Sequence, residues 1–200
     1  MMNTKDKILG VAKKEFMEKG FKEASMRNIA KELGISATAL YRHYKNKEEI
    51  FDAVVKPAVD ACESFCGSEE EREHEIADCQ GVEAMWADKT QIKLMVDMFY
   101  ANFDEQKLLF FGSEGTKYAN YFHETITKVQ NSTLKFMREF GPKDGKVKQI
   151  DDKEMHLLLS AQYSAMLEMI MHDFTYEEAI HYAETVNVFF REGWRKFLGF

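Results

Sequence analysis

Proline is nearly absent from this chain, with only Pro57 and Pro142 in 200 residues. Cysteine is scarce as well. The three present, Cys62, Cys66 and Cys79, are an odd number that argues against a disulfide framework and for reduced thiols. No apolar run approaches the roughly 20 residues of a membrane span, because charges interrupt every hydrophobic segment. The opening MMNTKDKILG lacks the apolar stretch and small-residue cleavage site of an export signal, so a soluble, cytoplasmic protein with no membrane partner is expected. Strand-like alternation bounded by turn pairs is hard to find, and the expected fold is all-α. A phosphate-binding glycine loop, a GxSxG elbow and an HExxH pair are all missing, and no cofactor is called for. Gly112-Ser113-Glu114-Gly115 reads as an interhelical turn.

What is present is unevenly distributed. The net charge of −7 would discourage a nucleic-acid partner, yet residues 1–50 hold 11 Lys and Arg against 7 Asp and Glu, while residues 51–200 hold 16 against 27. A basic head on an acidic body repels DNA except where the head faces it, which orients an encounter with phosphate.

The head is also rich in helix-end signals. Thr4 is placed to cap a first helix in which Ile8, Val11, Ala12 and Phe16 recur at helical steps until Gly20. Ser25 caps a short helix from Met26 to Leu33, followed by Gly34 at a position favouring positive φ and by Ile35 as a plug. Ser36 caps a third helix from Ala37 to about Tyr44, and Asn46 with Glu49 opens a fourth that runs through Pro57 toward Cys66. The acidic stretch from Gly67 to Asp78 reads as a loop or a solvated helical end. Further helices are expected at 81–87, 88–102, 104–111 and 116–140, then a loop over 143–150, and two capped helices opened by Asp151 with Glu154 and by Thr175 with Glu178.

Helix, glycine turn, helix is the arrangement in which one helix crosses the DNA backbone while the next enters the major groove. The exposed residues of the second helix suit that role. Ser36 and Thr38 are short hydroxyls for phosphate or a base edge, Tyr41 and His43 donate to phosphate, and Arg42 can donate bidentately to guanine O6 and N7. Lys47, at the next helix N-terminus, suits a phosphate. Tyr44 falls on the inner side with Leu40 and reads as core.

The segment SMRNIAKELGISATALYRHYKNKEEIFDAVV resembles the DNA-binding signature of the TetR family of bacterial regulators. The likeness covers about residues 5–55, including Phe16, Gly20-Phe21, the Gly34-Ile35-Ser36 turn, the Leu40-Tyr41-x-His43-Tyr44 run and Lys45-Asn46-Lys47. It implies that Tyr41, His43 and Lys47 hold phosphates, and that Arg27, Ala37, Thr38 and Arg42 face bases or nearby backbone. Thr38 stands where many relatives carry Gly or Pro, and Arg42 where aromatics are common, so no operator sequence carries over.

The resemblance implies an N-terminal three-helix domain over residues 1–50 and a helical ligand-binding and dimerisation domain over 51–200, with the helix 47–66 linking them. A small molecule there would shift the fourth helix and alter the spacing of two recognition helices, which must match a DNA turn of about 34 Å. Phe99, Phe103, Phe110, Tyr118, Phe122, Tyr163, Met166 and Met169 are candidates to line its pocket, although each also suits plain core. The last helix is apolar over more than one face, which makes Tyr182, Val186, Phe189 and Phe190 candidates for a homodimer interface.

The expected function is therefore DNA-binding regulation: a homodimeric repressor released from a palindromic operator by a small-molecule ligand, with activation left open. One alternative is a dimeric DNA-binding protein without an effector. Another is a di-metal carboxylate enzyme, since Glu71-x-x-His74 and Glu178-x-x-His181 have the right spacing. Glu71 lies in a charged stretch, however, and Glu178 serves as a capping acid. Cys62 and Cys66, four apart on a helix with His74 and Cys79 downstream, can be drawn as a thiolate metal or redox sensor, but they lack a tight CxxC knuckle and cysteine is a common small hydrophobe in helix cores, so no metal site is expected and a sensing role is left open.

Overall fold

The computed structural model describes residues 4–141 and 151–199, and within them every regular element is helical. In chain order these are α1 (Thr4–Glu23), α2 (Met26–Glu32), α3 (Ala37–Tyr41), α4 (Lys47–Gln80), α5 (Val82–Ala87), α6 (Thr90–Ala101), α7 (Phe103–Phe111), α8 (Tyr121–Phe140), α9 (Asp152–Met171) and α10 (Tyr176–Leu198). None of the described helices is long and apolar enough to cross a membrane. The loop expected over 143–150, like Pro142, lies outside the described residues.

Packing divides the chain into two units. The first holds residues 1–61 together with 102–121, so α7 and the turn after it pack with the N-terminal helices. Its core is Ile8, Ala12 and Phe16 of α1, Ile29 and Ala30 of α2, Leu40 of α3, Ile50, Phe51 and Val54 of α4, and Leu108 and Leu109 of α7. At its centre, the Phe51 ring meets Phe16 at 5.1 Å and Phe21 at 5.3 Å between centroids, both edge to face. Such pairs add about 0.5–1.5 kcal/mol each beyond the area they bury. Ion pairs from Lys13 to Asp104 and Glu105, Lys22 to Glu114 and Lys117 to Asp52 run between the N-terminal residues and the 102–121 segment.

The second unit holds residues 62–101 and 122–200. Here α10 packs on α6 and α9. Ile126, Met155, Leu159 and Leu198 form a buried cluster covered by Phe122, Tyr163, Trp194 and Phe197 among others. Both expected caps are present: Asp151 accepts from Lys153 N at the start of α9, and Thr175 with Glu178 makes a full capping box on α10.

Three sequence expectations need correction. The helix expected to run toward Cys66 continues to Gln80, so of the two readings of Gly67–Asp78 the helical end holds and the loop does not. Glutamate is a good helix former, and the segment is not wholly solvated. Buried Glu69 pairs with Arg72, which also reaches Asp88, and Gln91 donates to Glu73 at 3.2 Å. Burial, and next the Glu69 charge, push the Glu73 carboxyl above the ordinary range. The helix expected from Thr116 begins at Tyr121, because side chains hold 113–118 in turns: Thr116 Oγ1 accepts from Tyr118 N, and Ser113 Oγ donates to Tyr118 O. Finally, α3 stops at Tyr41, and Arg42 and His43 continue only as a turn.

Candidate nucleic-acid interface

Three side-chain caps shape the α2–α3 region. Ser25 Oγ accepts from Arg27 N at 3.2 Å, Ser36 Oγ from Ala39 N at 3.1 Å and Asn46 Oδ1 from Glu49 N at 2.8 Å. Glu49 reaches back to Lys45 N at 2.6 Å, which completes the expected reciprocal start of α4 one residue earlier than the standard box. Between α2 and α3, Gly34 has φ +67° and open space where a Cβ would sit, so backbone conformation and not crowding requires glycine there. Ile35 N donates to Ala30 O and Gly34 N to Lys31 O, closing the C-terminus of α2.

Those constraints fix which side chains of α3 face out. Leu40 is fully buried and Tyr44 nearly so, as expected of core residues, whereas Tyr41 is 50% exposed. Thr38, Tyr41 and Arg42 fall at i, i+3 and i+4 on one exposed face, with Ser36 and His43 exposed at its two ends and Ala37 half-buried. Arg27 lies exposed in the first turn of α2. Among the described residues no acidic side chain pairs with Arg27, Lys31, Arg42 or Lys45, whereas Lys13, Lys19, Lys22 and Lys117 are all paired. The unneutralised positive charge of this unit thus includes the α2–α3 face.

Lys47 has a task the sequence did not signal. Its Nζ donates to Lys22 O and Ala24 O, each at 2.9 Å, and lies 4.5 Å from the centroid of the Phe21 ring. It therefore ties the end of α1 to the start of α4, with an ammonium satisfying carbonyls left open at a helix end. Glu15 plays a matching part on the other side. Burial works against its charge, but hydrogen bonds from Lys19, Asn28 and Ser25 N outweigh that cost and hold its carboxyl below the ordinary range. Lys47 has no telling sequence pattern, since its partners are backbone atoms 23 and 25 residues away, and of the Glu15 partners only Lys19, at i+4, is a local pair.

The model for bacterial regulatory proteins of the tetR family matches residues 8–54, the segment just described. The likeness to the tetR family thus rests on this N-terminal segment. Over 56 residues the chain is 41% identical to an HTH-type transcriptional regulator of Staphylococcus aureus strain USA300, a match that spans 28% of this chain and 30% of that relative. The chain thus aligns with under a third of the length of the curated relatives it matches. Solved structures extend the likeness in fold. A transcriptional regulator from Aquifex aeolicus covers 96% of this chain at 21% identity and a TM-score of 0.57, with 98% of that structure aligned. The TetR-family regulator PfmR from Thermus thermophilus covers 92% at 21% and 0.58, with 94% aligned. Among the described residues the chain shares the fold of these two structures, with α2, the Gly34 turn and α3 followed by further helices.

The other candidates are more dispersed. Phe103, Phe110 and Tyr118 belong to the first unit, and Phe99, Phe122, Tyr163, Met166 and Met169 to the second. Phe99, Met166 and Met169 are buried in the core, Phe122 and Tyr163 cover its central cluster, and burial raises the Tyr163 phenol well above its ordinary value. On α10, Val186 is buried within its own chain, Tyr182 donates to Ala165 O at 2.9 Å, and Phe190 is half-buried. Phe189 is 77% exposed.

Proposed function

We propose that this protein is a cytoplasmic, homodimeric transcriptional regulator that holds palindromic operator DNA through residues 1–50. The observation that carries the reading is the capped α2–Gly34–α3 turn presenting Thr38, Tyr41 and Arg42 on one face, beside Arg27 and without acidic neutralisation among the described residues. Arg42 and Thr38 read base edges; Tyr41, His43, Ser36 and the third Lys47 proton hold phosphate; Arg27 contacts bases or nearby backbone and Ala37 lets the backbone approach. A second copy covers the exposed apolar side chains Leu157 and Leu158 of α9 and Val188 and Phe189 of α10. Repression follows by occlusion of the site, and residues 51–200 provide release on binding a small molecule, with Phe122 and Tyr163 beside the second unit's cluster as its contacts. The division of the candidate pocket residues between two packing units favours a second reading, a DNA-binding dimer without an effector. The di-metal enzyme draws no support, because Glu178 is bound to Thr175 in the capping box.

Fluorescence anisotropy against the palindromic duplex nearest the gene, beside a scrambled duplex and across a salt series, tests the core of this reading. Preferential binding by a dimer is expected, and equal weak binding to both duplexes, persisting in a selection from random DNA, would sink it. Phe189→Asp should shift the sedimenting species toward monomer; an unchanged dimer would place the interface elsewhere.

A further inference from the structure

Three sulfur-bearing residues, Cys62, Cys66 and Met98, belong to the second unit, and none of them is assigned to DNA. Cys62 and Cys66 stand four apart on α4, which places their Cβ atoms about 5–6 Å apart on one side of the helix. Cys62 is buried and Cys66 half-buried, while Cys79 at the end of the same helix is exposed. From α6, Met98 brings its Sδ to 3.9 Å from Cys62 Sγ. That spacing is informative. Two ligands about 2.3 Å from one metal, the length of a metal–thiolate bond, lie about 4 Å apart in a trigonal plane.

The donor set selects the ion. Among the described residues no three His, Cys, Asp or Glu side chains come together as metal ligands, so a hard or borderline divalent cation finds no full set here. Thiolate with thioether is the combination that favours Cu(I). Methionine is unbranched and adaptable, which suits it to close on an ion by a change of rotamer.

We propose that Cys62, Cys66 and Met98 form a site for one soft monovalent cation per chain, Cu(I) or its analogue Ag(I). Binding forms two metal–thiolate bonds and one metal–thioether bond, releases the two thiol protons to solvent and transfers no electron. The site stands independently of the DNA-binding reading, and either can fail alone.

The test is an anaerobic titration of the reduced full-length protein with Cu(I) against a chromophoric Cu(I) chelator, with Ag(I) counted by native mass spectrometry. One ion per chain is expected, with an ultraviolet thiolate-to-copper band. Cys66→Ser should weaken binding on the order of 100-fold and Met98→Leu about tenfold, whereas Cys79→Ser should change nothing. Both weakening substitutions conserve size, and circular dichroism checks that each variant is folded. Failure to compete with the chelator, full affinity in folded Cys66→Ser and Met98→Leu, or loss of the ion only in Cys79→Ser would each overturn the site.

Discussion

The two units of this molecule build helical structure by different means. In the first, polar caps and the positive-φ Gly34, one of several such glycines there, set the ends of α2 and α3, so that the side chains of the turn face outward in a fixed order. In the second, long helices pack through broad apolar faces, and many different residues can serve the same core position. The family match falls in the first of these, over residues 8–54. DNA backbone has one geometry to match, whereas a helical bundle tolerates any set of side chains that fills its volume.

The largest expected effect tests whether the first unit is a packed body or a set of capped helices. Phe51 is fully buried between Phe16 and Phe21, so Phe51→Ala should cost about 3–5 kcal/mol, seen as a lower urea midpoint and loss of specific DNA binding. A loss under about 1 kcal/mol would mean that the caps, and not the aromatic cluster, hold the head together.

Next come the contacts themselves. Arg42→Ala should relax base preference by about 1–3 kcal/mol while leaving non-specific binding nearly unchanged. Lys47→Ala should weaken binding to all sequences and lower the salt slope by about one, and because its Nζ holds Lys22 O and Ala24 O it should also lower thermal stability. Equal losses of preference from both variants would contradict the division between reading and positioning. Gly34→Ala is smaller, about 1 kcal/mol of stability, since the strain comes from φ +67° alone.

These predictions separate what was legible in the sequence from what was not. Ser25, Ser36, Asn46 and Gly34 act on neighbours within a few residues, and their roles, like the inward Leu40 and Tyr44 and the outward Tyr41, could be read directly. The length of α4 was hidden because GSEEEREHEIAD has no apolar stripe. Its helix is supported by charges such as Glu69–Arg72 and by Gln91, which lies 18 residues beyond Glu73. The start of α8 was hidden because Ser113 and Thr116 compete with helix through their hydroxyls. Least legible was the membership of 102–121 in the first unit, which rests on pairs such as Lys13–Glu105, 92 residues apart and without local pattern.

A pair of carboxyls turns the contrast between units into opposite responses to acid. Glu15, in the first unit, has its value held below the ordinary 4.5 because hydrogen bonds outweigh its burial. It therefore contributes stability that is complete above 4.5 and is lost as the pH falls from there through its folded value. Glu73, in the second, has its value raised from the same 4.5, by burial first and by Glu69 next, with Arg72, Gln91 and His74 too weak to compensate. Its charge costs stability above its folded value, and that cost disappears as the pH falls from there toward 4.5. Acid should thus relieve the second unit before it weakens the first. Glu73→Gln keeps an acceptor for Gln91 and should raise stability at neutral pH, whereas Glu15→Gln should lower it and remove the response below 4.5. Urea unfolding of both variants between pH 3.5 and 7, a range of about one unit below to several above the usual glutamate value, measures each effect. If Glu73→Gln destabilises the protein at neutral pH, the charge is satisfied within α4 and the Glu69–Arg72 pair must extend its protection to Glu73. The acidic segment would then be a built network instead of a tolerated strain.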